Sequence, residues 1–277
     1  MSFKEGKAAD YFRGRFKDAP GLCCESVGGK FEEAFWLMND NALAIVALDR
    51  LNEPSLRDKI KAKLQTFKVF GHDAFRNRGW VDPFIHQDVI YLGHLKKAGC
   101  YRWDDSTKTF GQRLECEAGM IGIMQEEWDG SEYRDDDEKR YFNLAASKAL
   151  SCERQYVKTR RASDKKKLDL FITRMENLWN SANLGFGEPD RNGNMTAYYL
   201  AAYLLVGEKT GWPNPFDTER SKTVKAVLNS LQQDHGGFAT WYKAQDGKVV
   251  SMELNGNVET TSLAVYANVR PKEYTAF

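Results

Sequence analysis

The feature that most constrains this chain is a short order of residues that recurs along it. Each copy has a glycine–aromatic turn, then a polar stretch that ends in Asn or Asp, and then an almost wholly apolar segment. The copies span 184–205, 236–267 and, less regularly, 28–48. A repeated supersecondary unit cannot bury its apolar face alone, so its copies must pack against one another. The repeat therefore predicts a helical array before any catalytic residue is considered.

Two kinds of helix alternate along the chain. Five segments predict inner, buried helices, at about 39–51, 84–97, 137–152, 194–208 and 258–269. The most apolar of them have no polar stripe, and such a helix must be surrounded by protein. Other segments place apolar residues on one face only, at helical spacing, and these are 8–16, 60–67, 168–179 and 224–231. The alternation is typical of an inner and an outer layer of helices.

Strand signals are local. Residues 237–242 and 248–250, separated by the turn Gln245-Asp246-Gly247, predict a β-hairpin. Residues 101–117 fit either a second hairpin or an irregular loop. Strands are therefore expected only as ornaments on a helical fold.

The repeat also resembles a known family. The order Gly-Gly-Phe at 236–238, a polar hairpin, Gly-Asn-Val-Glu-Thr-Thr at 256–261 and an apolar helix is similar to the repeats of the α/α-toroid superfamily. That superfamily includes terpenoid cyclases, protein prenyltransferases and, more distantly, six-hairpin glycosidases and some polysaccharide lyases. The resemblance implies an all-α fold, an α/α toroid of helical hairpins with small β-hairpin ornaments, as a single domain over 1–277. It implies no particular activity, because such folds host unrelated chemistries.

Composition excludes several function classes. Among 277 residues, 40 Lys and Arg balance 39 Asp and Glu, so no field of one sign favours nucleic acid or an anionic membrane. No apolar run approaches the roughly 20 residues of a spanning helix, and the N-terminus lacks a signal-peptide pattern. The five cysteines lack Cys-x-x-Cys spacing and favour a reducing compartment. We therefore expect a cytoplasmic protein, although secretion with a removed signal stays open.

In a toroid, the loops that lead into the inner helices converge at one mouth of the ring. Carboxylates mixed with aromatic rings at such a mouth are typical of a sugar-binding cleft, because rings stack on sugar faces and carboxylates accept hydroxyl hydrogen bonds or transfer protons. The catalytic candidates on these loops are Asp40, Glu188, Asp190 and His86. The candidates for substrate binding are Asp88, Trp128, Asn192, Trp241, Tyr242 and Glu259.

Polar residues at the predicted helix starts also have a purely structural explanation. Asn39, Asn194 and Asn257 stand where an N-cap belongs. Asp40 and Glu259 fall in a first helical turn, where the helix dipole favours a negative charge. Capping and catalysis are compatible, so the pattern alone decides neither.

The main functional hypothesis is a carbohydrate-active enzyme, either a glycoside hydrolase or a polysaccharide lyase, acting on an oligosaccharide or another small molecule. An inverting hydrolase needs two carboxylates roughly 6.5–9.5 Å apart, and Asp40 with Glu188 or Asp190 is the preferred pair. A lyase would use His86 or a tyrosine as its base. No convergent metal ligands and no phosphate-binding loop are present in the sequence, so no cofactor is expected.

Two alternatives belong to other classes. A terpenoid cyclase would carry an Asp-x-Asp-Asp acid, whereas Asp135-Asp136-Asp137 lacks that spacing and has charged neighbours. A non-catalytic scaffold would use the mouth to hold a glycan or a protein partner. The sequence gives no oligomeric state.

Overall fold

The computed structural model describes residues 2–18, 21–24, 35–66, 100–104, 109–113, 142–190, 192–210, 219–245, 247–252 and 255–270. Within these ranges the chain forms eight helices: α1 (Glu5–Arg15), α2 (Met38–Arg50), α3 (Pro54–Thr66), α4 (Phe142–Thr159), α5 (Ala162–Asn177), α6 (Ala197–Thr210), α7 (Glu219–Ser230) and α8 (Val258–Asn268). The strands in the same ranges are short: β1 (Phe16–Lys17), β2 (Leu22–Cys23), β3 (Phe35–Leu37), β4 (Cys100–Asp104), β5 (Thr109–Arg113), β6 (Trp179–Asn180), β7 (Gly185–Phe186), β8 (Met195–Thr196), β9 (Trp241–Gln245) and β10 (Lys248–Ser251).

These strands form small antiparallel sheets, in the orders β1–β2, β3–β4–β5, β6–β7 and β10–β9–β8. The fold is therefore of the mixed α/β kind, and the prediction of an all-α toroid is wrong. Two of the sheets join strands that are far apart in sequence, because β3 pairs with β4 and β8 pairs with β9. Periodicity along a chain indicates helices and local hairpins, but it carries no signal for such distant pairing.

The hairpin predicted around residue 246 is confirmed. β9 pairs with β10 in antiparallel register, with Tyr242 opposite Ser251 and Gln245 opposite Lys248. The ambiguous stretch 101–117 contains β4 and β5, which also pair as a hairpin, with Asp104 opposite Thr109.

The central helices pack side by side in the order α2, α8, α6 and α4. The other four lie against them, with α3 on α2, α1 on α8 and α2, α5 on α4, and α7 on α6. Every residue of α8 from Val258 to Ala267 is buried, whereas α5 buries only Leu168, Ile172 and Met175. The predicted distinction between wholly buried and one-sided helices is confirmed for α8 and α5, whereas the inner helix predicted at 84–97 lies outside the described residues. That the chain is one domain stays a prediction.

Candidate functional site

The N-terminal ends of α2 and α8 are both tied to α1, that of α8 directly and that of α2 through β2. The Tyr11 hydroxyl of α1 donates to the carbonyl of Gly256, just before α8, at 2.9 Å. The Cys23 thiol donates to the Phe12 carbonyl at 3.8 Å. The Asn41 side chain, in the first turn of α2, pairs with the Cys23 backbone through bonds of 2.7 and 3.0 Å. One turn of α1 therefore connects the starts of both helices.

The C-terminal ends of three central helices meet at the other end, around Arg50. This last residue of α2 donates to the carbonyls of Tyr266 and Val269 at 2.5 and 2.6 Å, at the end of α8. Its other nitrogen lies 3.2 Å from Glu208 near the end of α6. Because starts meet starts and ends meet ends, α2 and α8 run parallel.

The first turns of α6 and α4 lie at the same end as those of α2 and α8. The carbonyl of Thr240, the residue before β9, accepts from the amide of Ala197 at 2.8 Å. The ring of Phe142, the first residue of α4, lies 5.2 Å from the ring of Tyr199 in the first turn of α6. Each helix start carries a partial positive charge of about half an elementary charge. Four such starts at one end favour carboxylates there.

Two buried carboxylates occupy these first turns. Asp40 of α2 is 0% exposed and Glu259 of α8 is 6% exposed. A carboxylate removed from water is costly unless a partner or a favourable field lies near it, and the positive end of the helix dipole supplies such a field at a helix start. The structure thus brings Asp40 and Glu259 to the same end of two adjacent parallel helices.

A polar network around α8 fixes the start of β9. The Asn257 side chain caps α8, accepting from the Thr260 amide at 2.7 Å, and donates to the Thr240 hydroxyl at 2.7 Å. The Thr240 and Thr260 hydroxyl oxygens lie 3.1 Å apart. Trp241 follows Thr240 directly, so this network ties the start of β9 to the start of α8. Thr240 was missed at the level of sequence, because nothing in its local pattern distinguishes it.

Asp190 organises its own loop. Its carboxylate accepts from the backbone amides of Asn192 and Asn194, both at 2.8 Å, and from the Asn194 side chain at 3.0 Å. These bonds, that from the Asn194 amide first, lower the pKa of Asp190, and nearby Lys243 adds to the effect. Both carboxylate oxygens are engaged, so Asp190 is poorly suited to donate a proton. Glu188 and the Asn192 side chain are exposed on the same loop.

Trp241 and Tyr242 point to opposite faces of β9, as successive strand residues do. Trp241 is 37% exposed, whereas Tyr242 is fully buried. The Tyr242 hydroxyl donates to the Leu184 carbonyl at 2.9 Å, and burial raises its pKa above the ordinary value. Trp241 is available to a ligand, and Tyr242 holds the sheet to the core.

Three site candidates and two predicted helix caps remain to be placed. His86, Asp88 and Trp128 lie outside the described residues. Asn194 does not cap α6, which begins three residues later, so that prediction is wrong. The Asn257 cap is confirmed.

The part of the chain that the structure describes contains no group of three His, Cys, Asp or Glu side chains arranged for a metal ion. None of its helices has the length and hydrophobicity that crossing a lipid bilayer requires. Comparison with protein-family models, curated proteins and solved structures gives no match.

Proposed function

We propose that the protein is a carbohydrate-active hydrolase in which Asp40 and Glu259 are the two reacting carboxylates. The observation that carries the proposal is their placement in the first turns of two packed parallel helices. Packed helices lie about 8–10 Å apart between their axes. Carboxylates at the same level of two such helices can lie within the roughly 5–9.5 Å that glycoside hydrolysis uses.

The chemistry assigns different tasks to the two groups. One carboxylic acid protonates the glycosidic oxygen that leaves. The other, as a carboxylate, activates water or attacks the sugar carbon directly, depending on the separation of the pair. The helix starts favour the ionised form of either group. Tyr242 is poorly suited as the base of a lyase, because it is buried and its hydroxyl is bound to a backbone carbonyl; His86, the other candidate base, lies outside the described residues.

A glycan-binding scaffold without catalysis is the second candidate. It is favoured by the near-complete burial of both carboxylates, at 0% and 6% exposed. In that role they would stabilise the starts of α2 and α8, and Trp241 would contact the ligand. The two candidates differ in turnover and agree on glycan binding.

The test measures reducing ends released from a panel of polysaccharides by the wild-type protein and by Asp40→Asn and Glu259→Gln. Both variants are expected to lose turnover by at least about a hundredfold while keeping the wild-type circular dichroism spectrum. Asp169→Asn is the matched control, because this carboxylate is exposed on α5 and pairs with Lys165. Glycan binding without turnover in the wild type would support the scaffold instead. Loss of turnover in Glu188→Gln but not in Glu259→Gln would show that the pair is wrong.

A further inference from the structure

The sheet β10–β9–β8 has one face in water. Trp241 lies opposite Thr196 of β8, and the Met252 amide donates to the Trp241 carbonyl at 2.9 Å, which places Met252 on its other side. Val250 lies opposite Lys243 in the next row. Trp241, Val250 and Met252 are 37%, 41% and 46% exposed, respectively. We call this surface, formed by Thr196, Trp241, Lys243, Gln245, Lys248, Val250 and Met252, the Trp241 face.

The opposite face of the sheet holds it in place. Tyr242 is buried in the main core, and Val249 packs against the same core. Met195, opposite Tyr242, is also buried. The Trp241 face is therefore presented by strands whose other side is anchored.

The Trp241 face is too small to be a stable protein–protein interface. Three strands at about 4.8 Å spacing and five residues at about 3.3 Å rise give an area of about 200 Å². A stable dimer buries about 800 Å² on each partner. The face instead combines one exposed indole with hydrogen-bonding side chains, which suits the apolar face and the hydroxyl edge of a sugar ring.

The face carries two lysines, and the Asp190 carboxylate lies near one of them, Lys243. The charged side chains on the described residues of β9 and β10 are Lys243 and Lys248. Lys243 lies beside the Asp190 loop. The position that a Cβ would take at Gly193 of that loop is 3.8 Å from the Cε of Lys243. Lys248, at the far end of the hairpin, is exposed. A ligand that carries carboxylates would complement Lys248 and would share Lys243 with Asp190.

We propose that the Trp241 face binds an acidic polysaccharide, with a sugar ring stacked on Trp241 and uronate carboxylates paired with Lys243 and Lys248. The proposal rests on the proposed function for its connection to hydrolysis, and it specifies the substrate class. The connection is physical, because Trp241 follows Thr240, whose hydroxyl is bound to the cap of α8 next to Glu259.

The test compares polygalacturonate with its fully methyl-esterified form, which has the same backbone and no charge. Binding is measured by calorimetry with the Asp40→Asn protein, so that turnover does not change the ligand. We expect polygalacturonate to bind more tightly than the ester, and added salt to weaken its binding. Trp241→Ala is expected to weaken binding about tenfold, and Lys248→Met to reduce the preference for the charged form. Leu170→Ala, which removes another exposed apolar side chain on α5, is the control and should bind as before.

Three results would overturn the inference. They are equal binding of both polymers, unchanged binding by Trp241→Ala, and sedimentation as a dimer that Trp241→Ala dissociates. The last result would make the face a self-association surface. Binding that survives in a protein with no hydrolytic activity would contradict the proposed hydrolase and leave this inference standing.

Discussion

Arg50 and Tyr266 form the contact that joins the C-terminal ends of two central helices. The guanidinium carbon of Arg50 lies 3.4 Å from the centroid of the Tyr266 ring, and its nitrogen donates to the Tyr266 carbonyl. The last carbonyls of a helix have no partner within the helix and carry the negative end of its dipole. Arg50 supplies charged donors to the end of α8 and pairs with Glu208 of α6. One buried cation therefore holds three helices in register.

Replacing this cation should lower the free energy of unfolding. Arg50→Met keeps much of the side-chain volume but leaves two carbonyls and Glu208 without their donor, and we expect a loss of about 2–4 kcal/mol. The measurement is urea unfolding followed by circular dichroism. Arg13→Met is the control, because Arg13 pairs with Asp10 and Glu53 at the surface and should cost less than about 1 kcal/mol. Equal losses for the two variants would contradict the role given to Arg50.

Replacing the cap of α8 should affect the protein in two separable ways. Asn257→Ala removes the acceptor for the Thr260 amide and the donor to Thr240, and should cost about 1–2 kcal/mol. Asn257→Asp keeps the acceptor and loses only the donor, so its loss should be smaller. Thermal unfolding of both variants checks the order. Equal melting temperatures for the two would show that the side-chain cap contributes nothing.

Adding a methyl group at Gly236 should disturb the packing of α1 against the turn that contains this glycine. Gly236 has φ +96°, and a Cβ there would lie 1.9 Å from the carbonyl oxygen of Lys7. Gly187→Ala is the matched control, because Gly187 has φ +77° and open space around it, so its cost is the left-handed strain of about 1–2 kcal/mol. Gly236→Ala should cost more and should increase hydrogen exchange in α1. Equal losses in the free energy of unfolding would show that the close approach of Gly236 to Lys7 is unimportant.

The contribution of Asp190 to the stability of the fold should increase as the pH rises through the range of its pKa. Because hydrogen bonds in the folded state lower the pKa of Asp190, the ionised group stabilises the fold above its unfolded pKa of about 3.9. That stabilisation is lost as the pH falls through the lower folded pKa. Asp190→Asn should therefore melt below the wild type at pH 7, and the difference should shrink below about pH 4.

Asn192→Ala is the control for this loop. The Asn192 backbone amide, which alanine keeps, is the group that donates to Asp190. This variant should retain the wild-type dependence of melting temperature on pH. A difference between Asp190→Asn and the wild type that stays constant from pH 2 to pH 7 would contradict the assignment.

The helices could be predicted because their cause is local. The apolar runs 42–48 and 198–205 have no polar stripe, and they lie in α2 and α6, whose residues 43–48 and 200–206 are buried. Asn257 could be predicted as a cap from its position alone, because capping involves the next few residues. Asn194 has the same local pattern, but its side chain donates to Asp190 and does not cap α6. The local sequence is compatible with either role.

The candidate site was predicted only in part. Asp40 and Glu259 could be placed in first turns from the sequence, but their placement at one end of the fold depends on α2 and α8 running parallel side by side. The sequence favoured Glu188 or Asp190 as the partner of Asp40. In the structure, the Asp190 carboxylate accepts hydrogen bonds from amides of its own loop. Sequence pattern does not distinguish a carboxylate that orders a loop from one that faces another carboxylate.

What the sequence determined by itself is the set of helices, which of them are buried, and the hairpin of β9 and β10. These follow from side-chain hydrophobicity at helical or strand spacing and from turn residues, all of which act over a few positions. Only the tertiary structure decided the mixed α/β class, the pairing of β8 with β9, and the placement of Asp40 and Glu259 at the same end of two packed helices. Those features depend on backbone and side-chain partners about 50 to 220 positions apart. Such partners leave no periodic trace in a single sequence, because which distant groups meet is settled by the packing of the whole chain.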